Sequence, residues 1–433
     1  MRKFVLFIVL SLAGTVAAVP ATARNTSPTL DAVARWNGSA LSAVRALRAS
    51  DADAARLYAM LNVAVYDAVN GLDNDSRGGH PGRAHALVPG PGPRQADPQA
   101  AAVAAAHAVL VGADSARAAQ YDAQLAADLA TIRPGAKRDA GVAWGRSVGE
   151  RVLAARANDG STPVETQHGG TGPGVFPAAW SGVQYRNVRP FALADPAAHV
   201  LGPPPGLATL DYAAAFAEVA LLGNAAIPAP DKLATFQFWS VPTGTDQPAG
   251  EWLKIALTVS ASRHLDLIDG TRLLALLAMA LSDTSIPTVG TKFNNRHWRP
   301  QHAIQQAGTD GNPLTAADPT CLARAGSAGS TPEWVSGHSS YSGAGASVLA
   351  GFFCADRIPF EATTDTAPGG LARSYPGFSA AAAEAGRSRV FGGQHFEFSN
   401  QAGLGLGRGV AAEVLRTALL VKDGPTHRGE CPR

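Results

Sequence analysis

Residues 52–69 read ADAARLYAMLNVAVYDAV. Leu57, Met60, Leu61, Ala64, Val65 and Ala68 recur at i, i+3, i+4 spacing, which gathers them on one face of a helix. The same texture extends in both directions. Alanine-rich stretches at about 98–111, 115–131 and 137–157 predict helices, because alanine is the strongest helix former. Helical pattern returns at about 209–222, 230–240, 248–265, 270–283, 335–354, 378–391 and 401–420. No strand-like alternation is sustained, and no internal repeat is present. The sequence therefore predicts an all-α protein of packed helical bundles.

Between Asp159 and Pro205 the texture changes. Gly169-Gly170, Gly172-Pro173-Gly174 and Pro203-Pro204-Pro205 are loop chemistry. A loop of that length either covers a pocket or wraps as a connector, and a connector is the expectation. Three stretches follow: 1–23, 24–205 as an N-terminal helical region ending in the connector, and 206–425 as a second helical region. The first, with Met1-Arg2-Lys3, an apolar run to Val19 and Ala21-Thr22-Ala23, reads as a secretory signal cleaved after Ala23. Its apolar run is shorter than the roughly 20 residues a span needs. The longest later apolar run, Leu273 to Leu281, is shorter still. The expectation is an exported chain, secreted or periplasmic, with no membrane span once mature.

Charged residues make up 16% of the chain and the formal net charge is +2. A nucleic-acid surface needs a strong basic excess, so that class is set aside. Cys321, Cys354 and Cys431 match no zinc spacing. Export permits a disulfide, and three cysteines leave at least one without a partner in the chain.

The chemistry concentrates between residues 292 and 400. The first block is Lys292-Phe293-Asn294-Asn295-Arg296-His297-Trp298-Arg299-Pro300. If it is helical, Lys292 and Arg299 lie two turns apart on one face, two cations suited to a tetrahedral oxyanion. The second is Glu333-Trp334-Val335-Ser336-Gly337-His338-Ser339, at the start of a helical stretch. There Gly337 permits close backbone approach, and a helix N-terminus offers free N–H groups to an anion. The third is Ser388-Arg389-Val390-Phe391-Gly392-Gly393-Gln394-His395. Each block alone reads equally as a solvated face, an ordinary cap or a structural histidine. Together they supply three cations, a hydroxyl, a backbone N–H and two imidazoles, a full set for holding a trigonal-bipyramidal oxyanion.

These blocks resemble the vanadium haloperoxidase and PAP2 phosphatase superfamily, whose pattern is K-x6-R-P, P-S-G-H and S-R-x5-H-x3-D. Val335 replaces the proline of the second block, and Ser399 replaces the final aspartate of the third. Residues 56–70, upstream, resemble the N-terminal helices of the bacterial soluble branch. The resemblance implies a vanadate held by Lys292, Arg299, Ser336, Gly337, His338, Arg389 and His395. His395 would be the metal ligand and His338 the acid–base. It implies oxidation of halide by hydrogen peroxide, with an organic acceptor. Its alternative is a secreted acid phosphatase acting on phosphomonoesters through a phosphohistidine at His395, with no cofactor. A catalytically silent oxyanion binder is a third class, raised by the lost aspartate. That aspartate would orient the ligating histidine. Ser399, four residues after His395, is expected to take the bond more weakly, unless Glu397 or a carboxylate from elsewhere in the chain does so. Thr331 occupies the position that influences halide choice in the family. His297 and His302 read as helix-face or pocket-rim residues. Asp283 reads either as a partner of a pocket cation or as a surface residue at a helix end.

Overall fold

The computed structural model describes residues 30–72 and 84–420 of the 433. The predicted signal segment 1–23 and Cys431 lie outside the described residues. Thirteen α-helices are described. The first five are α1 (Asp31–Leu47), α2 (Asp51–Asn70), α3 (Pro98–Ala113), α4 (Ala118–Ala130) and α5 (Ala136–Arg156). After the connector come α6 (Leu210–Leu222), α7 (Pro230–Phe238), α8 (Gln247–Ser262), α9 (Leu267–Asn295) and α10 (Pro300–Gln305). The last three are α11 (Gly337–Phe353), α12 (Phe378–Phe391) and α13 (Glu397–Thr417). Strands among the described residues are two or three residues long and form two small antiparallel pairs. The all-α expectation holds.

Helix α2 packs on α9, and these two form the spine of the molecule. Leu273, Leu274, Leu276, Leu277 and Leu281 of α9 are all buried. Each such side chain contributes roughly 1.5–3 kcal/mol on leaving water. The helix is 29 residues long, more than twice the stretch read from periodicity. It is long and apolar enough to cross a membrane, a correction to the sequence reading, but 94% of its most apolar stretch is buried inside the protein. Its all-round apolarity hides any amphipathic period, which is why pattern alone places its end too early. The helix α1 went unpredicted because Asn37, Gly38 and Ser39 interrupt its apolar face. Trp36, Ala40 and Val44 are nevertheless fully buried.

The connector packs along α9, where Leu201 N–H donates to Thr291 Oγ1 at 2.9 Å. Asp283, in the middle of α9 and fully buried, accepts hydrogen bonds from the backbone N–H groups of Phe191, Ala192 and Leu193 at 2.7, 2.7 and 2.9 Å. It is therefore neither a pocket counter-ion nor a surface residue. Asp67 of α2 does the same for Ala86, Leu87 and Val88. In each case one buried carboxylate satisfies three donors that would otherwise be stranded. Further along, Phe176 N–H donates to Arg296 O at 2.7 Å, and Trp298 N–H donates to Gly174 O at 2.9 Å.

Helices α11 and α13 cross in close contact. A Cβ on Gly403 would lie 2.6 Å from the carbonyl oxygen of Ser336, so only glycine lets the two backbones meet there. Cys321 is a buried free thiol, whereas Cys354 is disulfide-bonded.

Candidate active site

Lys292 and Arg299 do not share a helix face, contrary to the sequence expectation. Helix α9 ends at Asn295, Arg296 turns into the left-handed region, and Arg299 is the residue before α10. The turn brings the two cations together, and Gly174 and Phe176 of the connector fix its path. Ser336 caps α11, and Gly337 is that helix's first residue, so its N–H has no acceptor within the helix. Arg389 lies in the last turn of α12. His395 follows a tight turn at Gly392-Gly393, just before α13.

The charges converge in the interior. Lys292, Arg299 and Arg389 are 6%, 5% and 5% exposed. Burial pushes the Lys292 ammonium well below its ordinary value, and Arg299 adds to the effect. Burial pushes Arg299 down to about 10 and Arg389 down to about 9. Both remain cationic at neutral pH. His395 is depressed by burial and then by Arg299, Lys292, Arg389 and His338. His338 is depressed by burial and then by Arg389, with Arg299 and Lys292 contributing. Arg299 contacts His395 directly, and Lys292, Arg389 and His338 lie close enough for their charges to bear on it.

The hydrogen bonds assign the protons. Arg299 Nη1 lies 2.9 Å from His395 Nε2, and arginine can only donate. Nε2 is therefore the acceptor, and Nδ1 carries the proton. Nδ1 lies 2.9 Å from Glu333 Oε1, to which it donates. His395 thus turns the lone pair of Nε2 toward the cations, where it accepts from Arg299. His338 Nε2 lies 3.0 Å from the carbonyl oxygen of Ser240 and donates to it, so its Nδ1 is the free base. Ser339 Oγ, which has one proton to give, lies 2.8 Å from Ser336 Oγ and 3.0 Å from Asn400 Oδ1.

This donor set fits a tetrahedral oxyanion with a coordinate bond to one imidazole. Arg389 Nε is buried with no hydrogen-bond partner in the protein. The Lys292 ammonium meets only the carbonyls of Pro332 and Glu333. Three buried cations face the buried carboxylate of Glu333, with the Asp51 carboxylate near Lys292 and Gly337. Unpaired charge in an interior is costly, so the pocket favours a multivalent anion.

Comparison with known proteins bears on the fold. Residues 272–424 match the family described as the VCPO second helical-bundle domain. A bacterial vanadium-dependent iodoperoxidase shares the fold with TM-score 0.75 and 22% identity, over 92% of this chain and 99% of that one. A holo-type bacterial vanadium-dependent chloroperoxidase gives 0.62 and 15% identity, over 84% and 92%. No curated protein sequence matches the chain.

Against the pattern that the chain resembles, the third block lacks its final aspartate. Ser399 does share the face of His395, with Oγ 3.4 Å from Nδ1. The nearer partner is Glu333, which also accepts from Phe396 N–H at 3.1 Å. Glu397 is engaged elsewhere, with Arg387 and Asn400. The expectation that Ser399 takes the imidazole's bond is therefore corrected: Nδ1 already has a carboxylate. His297 is buried in an aromatic cluster with Tyr212, Phe396 and Phe398, and burial pushes it down to about 3. His302 packs edge-on to Phe176. Neither is among the groups gathered at the cavity.

Thr331, read from the sequence only as a position bearing on halide choice, and Gly329, which the sequence does not mark, both shape Arg299. Thr331 accepts from its guanidinium through both backbone and side-chain oxygens, at 2.7 and 3.1 Å. Gly329, at φ +102°, lies flat on the guanidinium, and a Cβ there would come within 2.7 Å of Cζ. A glycine four residues before a glutamate carries no signal in a single sequence. Gly329→Ala is expected to push Arg299 out of position and lower turnover by about 10²-fold, the usual scale for a misplaced catalytic group. Steady-state kinetics beside a circular dichroism spectrum checks this, and unchanged turnover would refute it.

Proposed function

We propose that this protein is a vanadium-dependent haloperoxidase, with vanadate carried on His395 and halide oxidised by hydrogen peroxide. The observation that supports it most is the unprotonated Nε2 of His395, which accepts from Arg299 and is set among three buried cations. Likeness to the bacterial haloperoxidases over nearly the whole chain favours peroxidase over phosphatase.

Lys292, Arg299 and Arg389 would neutralise the oxyanion, and Ser336 O–H and Gly337 N–H would donate to its oxygens. Bound vanadate would supply a Lewis-acidic centre that activates peroxide toward halide. His338, held by Ser240, keeps Nδ1 free to take a proton from an incoming hydroperoxide and return it to a leaving oxygen. Glu333 keeps the proton of His395 on Nδ1, away from the pocket. Substrates of this reading are small: peroxide, halide and an organic acceptor. Export remains part of the proposal, since it rests on residues 1–23.

The test is a side-by-side assay of the purified chain. Halide oxidation should require both vanadate and peroxide, and a phosphomonoester without vanadate should turn over slowly or not at all. Inorganic phosphate should compete during reconstitution, because the same cations and N–H groups hold either oxyanion. Efficient phosphomonoester hydrolysis with no vanadate-dependent peroxidase activity would overturn the proposal. Indifference to a large phosphate excess would point to different chemistry at the site.

A further inference from the structure

We propose that Glu333 is the positioning residue for His395, replacing from the second block the aspartate that the superfamily carries four residues after this histidine. The inference rests on the reading of His395 as the oxyanion-bearing residue.

Glu333 touches all three blocks. Its backbone N–H donates to His297 O at 2.8 Å, and its carbonyl accepts from Lys292 Nζ at 3.4 Å. These two bonds tie it to the first block. Its carbonyl also accepts from Ser399 Oγ at 3.4 Å, and its carboxylate takes His395 Nδ1–H and Phe396 N–H. Three residues later the same chain segment supplies Ser336. The carboxylate is fully buried, and Oε2 has no hydrogen-bond partner in the protein. A carboxylate that accepts the Nδ1 proton holds the imidazole in one tautomer and orientation and raises the basicity of Nε2.

The serine at position 399 then has a reason. His395 has one N–H to give, and Glu333 takes it. A second carboxylate at 399 would be buried within reach of the same nitrogen with no donor of its own. The two arrangements, Asp at 399 or Glu at 333, are alternatives that exclude each other. A reciprocal substitution cycle is therefore diagnostic.

The experiment compares wild type, Glu333→Gln, Ser399→Asp and the double variant, each checked for fold by circular dichroism. Two readouts are taken: the vanadate dissociation constant of the apo protein, and the proton NMR position of His395 Nδ1–H, assigned by its loss in His395→Ala. Glu333→Gln should weaken vanadate binding by about 10–100-fold and shift the Nδ1–H signal upfield. Ser399→Asp alone should give no gain or a loss. In the Glu333→Gln background the same Ser399→Asp change should recover most of the affinity and return the signal downfield. Ser399→Asp acting equally in both backgrounds would show that the two positions share no partner and would overturn the proposal. So would a Glu333→Gln protein with unchanged affinity and an unmoved signal. Should wild type bind no vanadate, the proposed function fails, and the NMR arm decides the role of Glu333 by itself.

Discussion

His395→Ala is expected to abolish vanadate binding, while His338→Ala keeps it. The lone pair of His395 Nε2 is the group assigned to the coordinate bond, whereas Lys292, Arg299, Arg389, Ser336 and the Gly337 N–H act as donors. Removing it takes away the coordinate bond and leaves only electrostatic capture of a mobile anion. It also leaves the buried Glu333 carboxylate with Phe396 N–H but without the imidazole donor, which costs about 1–3 kcal/mol of stability. The apo fold is therefore to be checked before affinities are compared. His338 is different. Its Nε2–H is spent on Ser240, so its contribution is proton traffic through Nδ1. His338→Ala is expected to bind vanadate within an order of magnitude of wild type and to lose about 10²–10⁴-fold in turnover. Titration of the apo proteins with vanadate, followed by peroxide-dependent halide oxidation, separates the two. Equal vanadate affinity in wild type and His395→Ala would sink the assignment.

Arg389→Met is expected to move stability and affinity in opposite directions. The guanidinium is buried, its Nε has no partner in the protein, and it stands beside two further cations. The apo protein holds that charge at a cost, so an apolar side chain of similar length should leave the apo melting temperature unchanged or raised. Vanadate loses a buried charge-assisted partner, a change that typically costs 2–5 kcal/mol, so its dissociation constant should rise about 10²-fold or more. At a vanadate concentration 100 times the wild-type dissociation constant, wild type gains about 2.7 kcal/mol from ligand binding. The variant, near its own dissociation constant, gains only about 0.4 kcal/mol. Thermal unfolding with and without vanadate reads both effects. A variant that melts lower when empty, yet is stabilised as much as wild type when loaded, would contradict this account.

The helices are legible in the sequence wherever an apolar face alternates with solvent. They blur where burial is complete, as along α9, or where weak helix formers occupy the face, as at Asn37-Gly38-Ser39 in α1. The oxyanion site is legible for a different reason. Lys292, Arg299, Ser336, Gly337, His338, Arg389 and His395 are residue types with few substitutes, in a recurring order. What escapes is whatever depends on contacts across the chain. Glu333 stands in plain view beside Ser336, but its partner lies 62 residues away. Asp283 could not be placed because the three N–H groups it holds lie about 90 residues upstream. The convergence of Lys292 with Arg299 was expected from a helix and arises instead from a turn held by the connector.

That connector bears on how far this protein can be divided. The family match begins at residue 272, and every group assigned to the oxyanion lies beyond that point. Yet His338 leans on the carbonyl of Ser240, Arg389 reaches toward the carbonyl of Trp239, and the turn before Arg299 is gripped by Gly174 and Phe176. A fragment cut at the family boundary would own all the reactive groups and none of these abutments. The smallest transplantable unit of this site therefore starts no later than Gly174 of the connector.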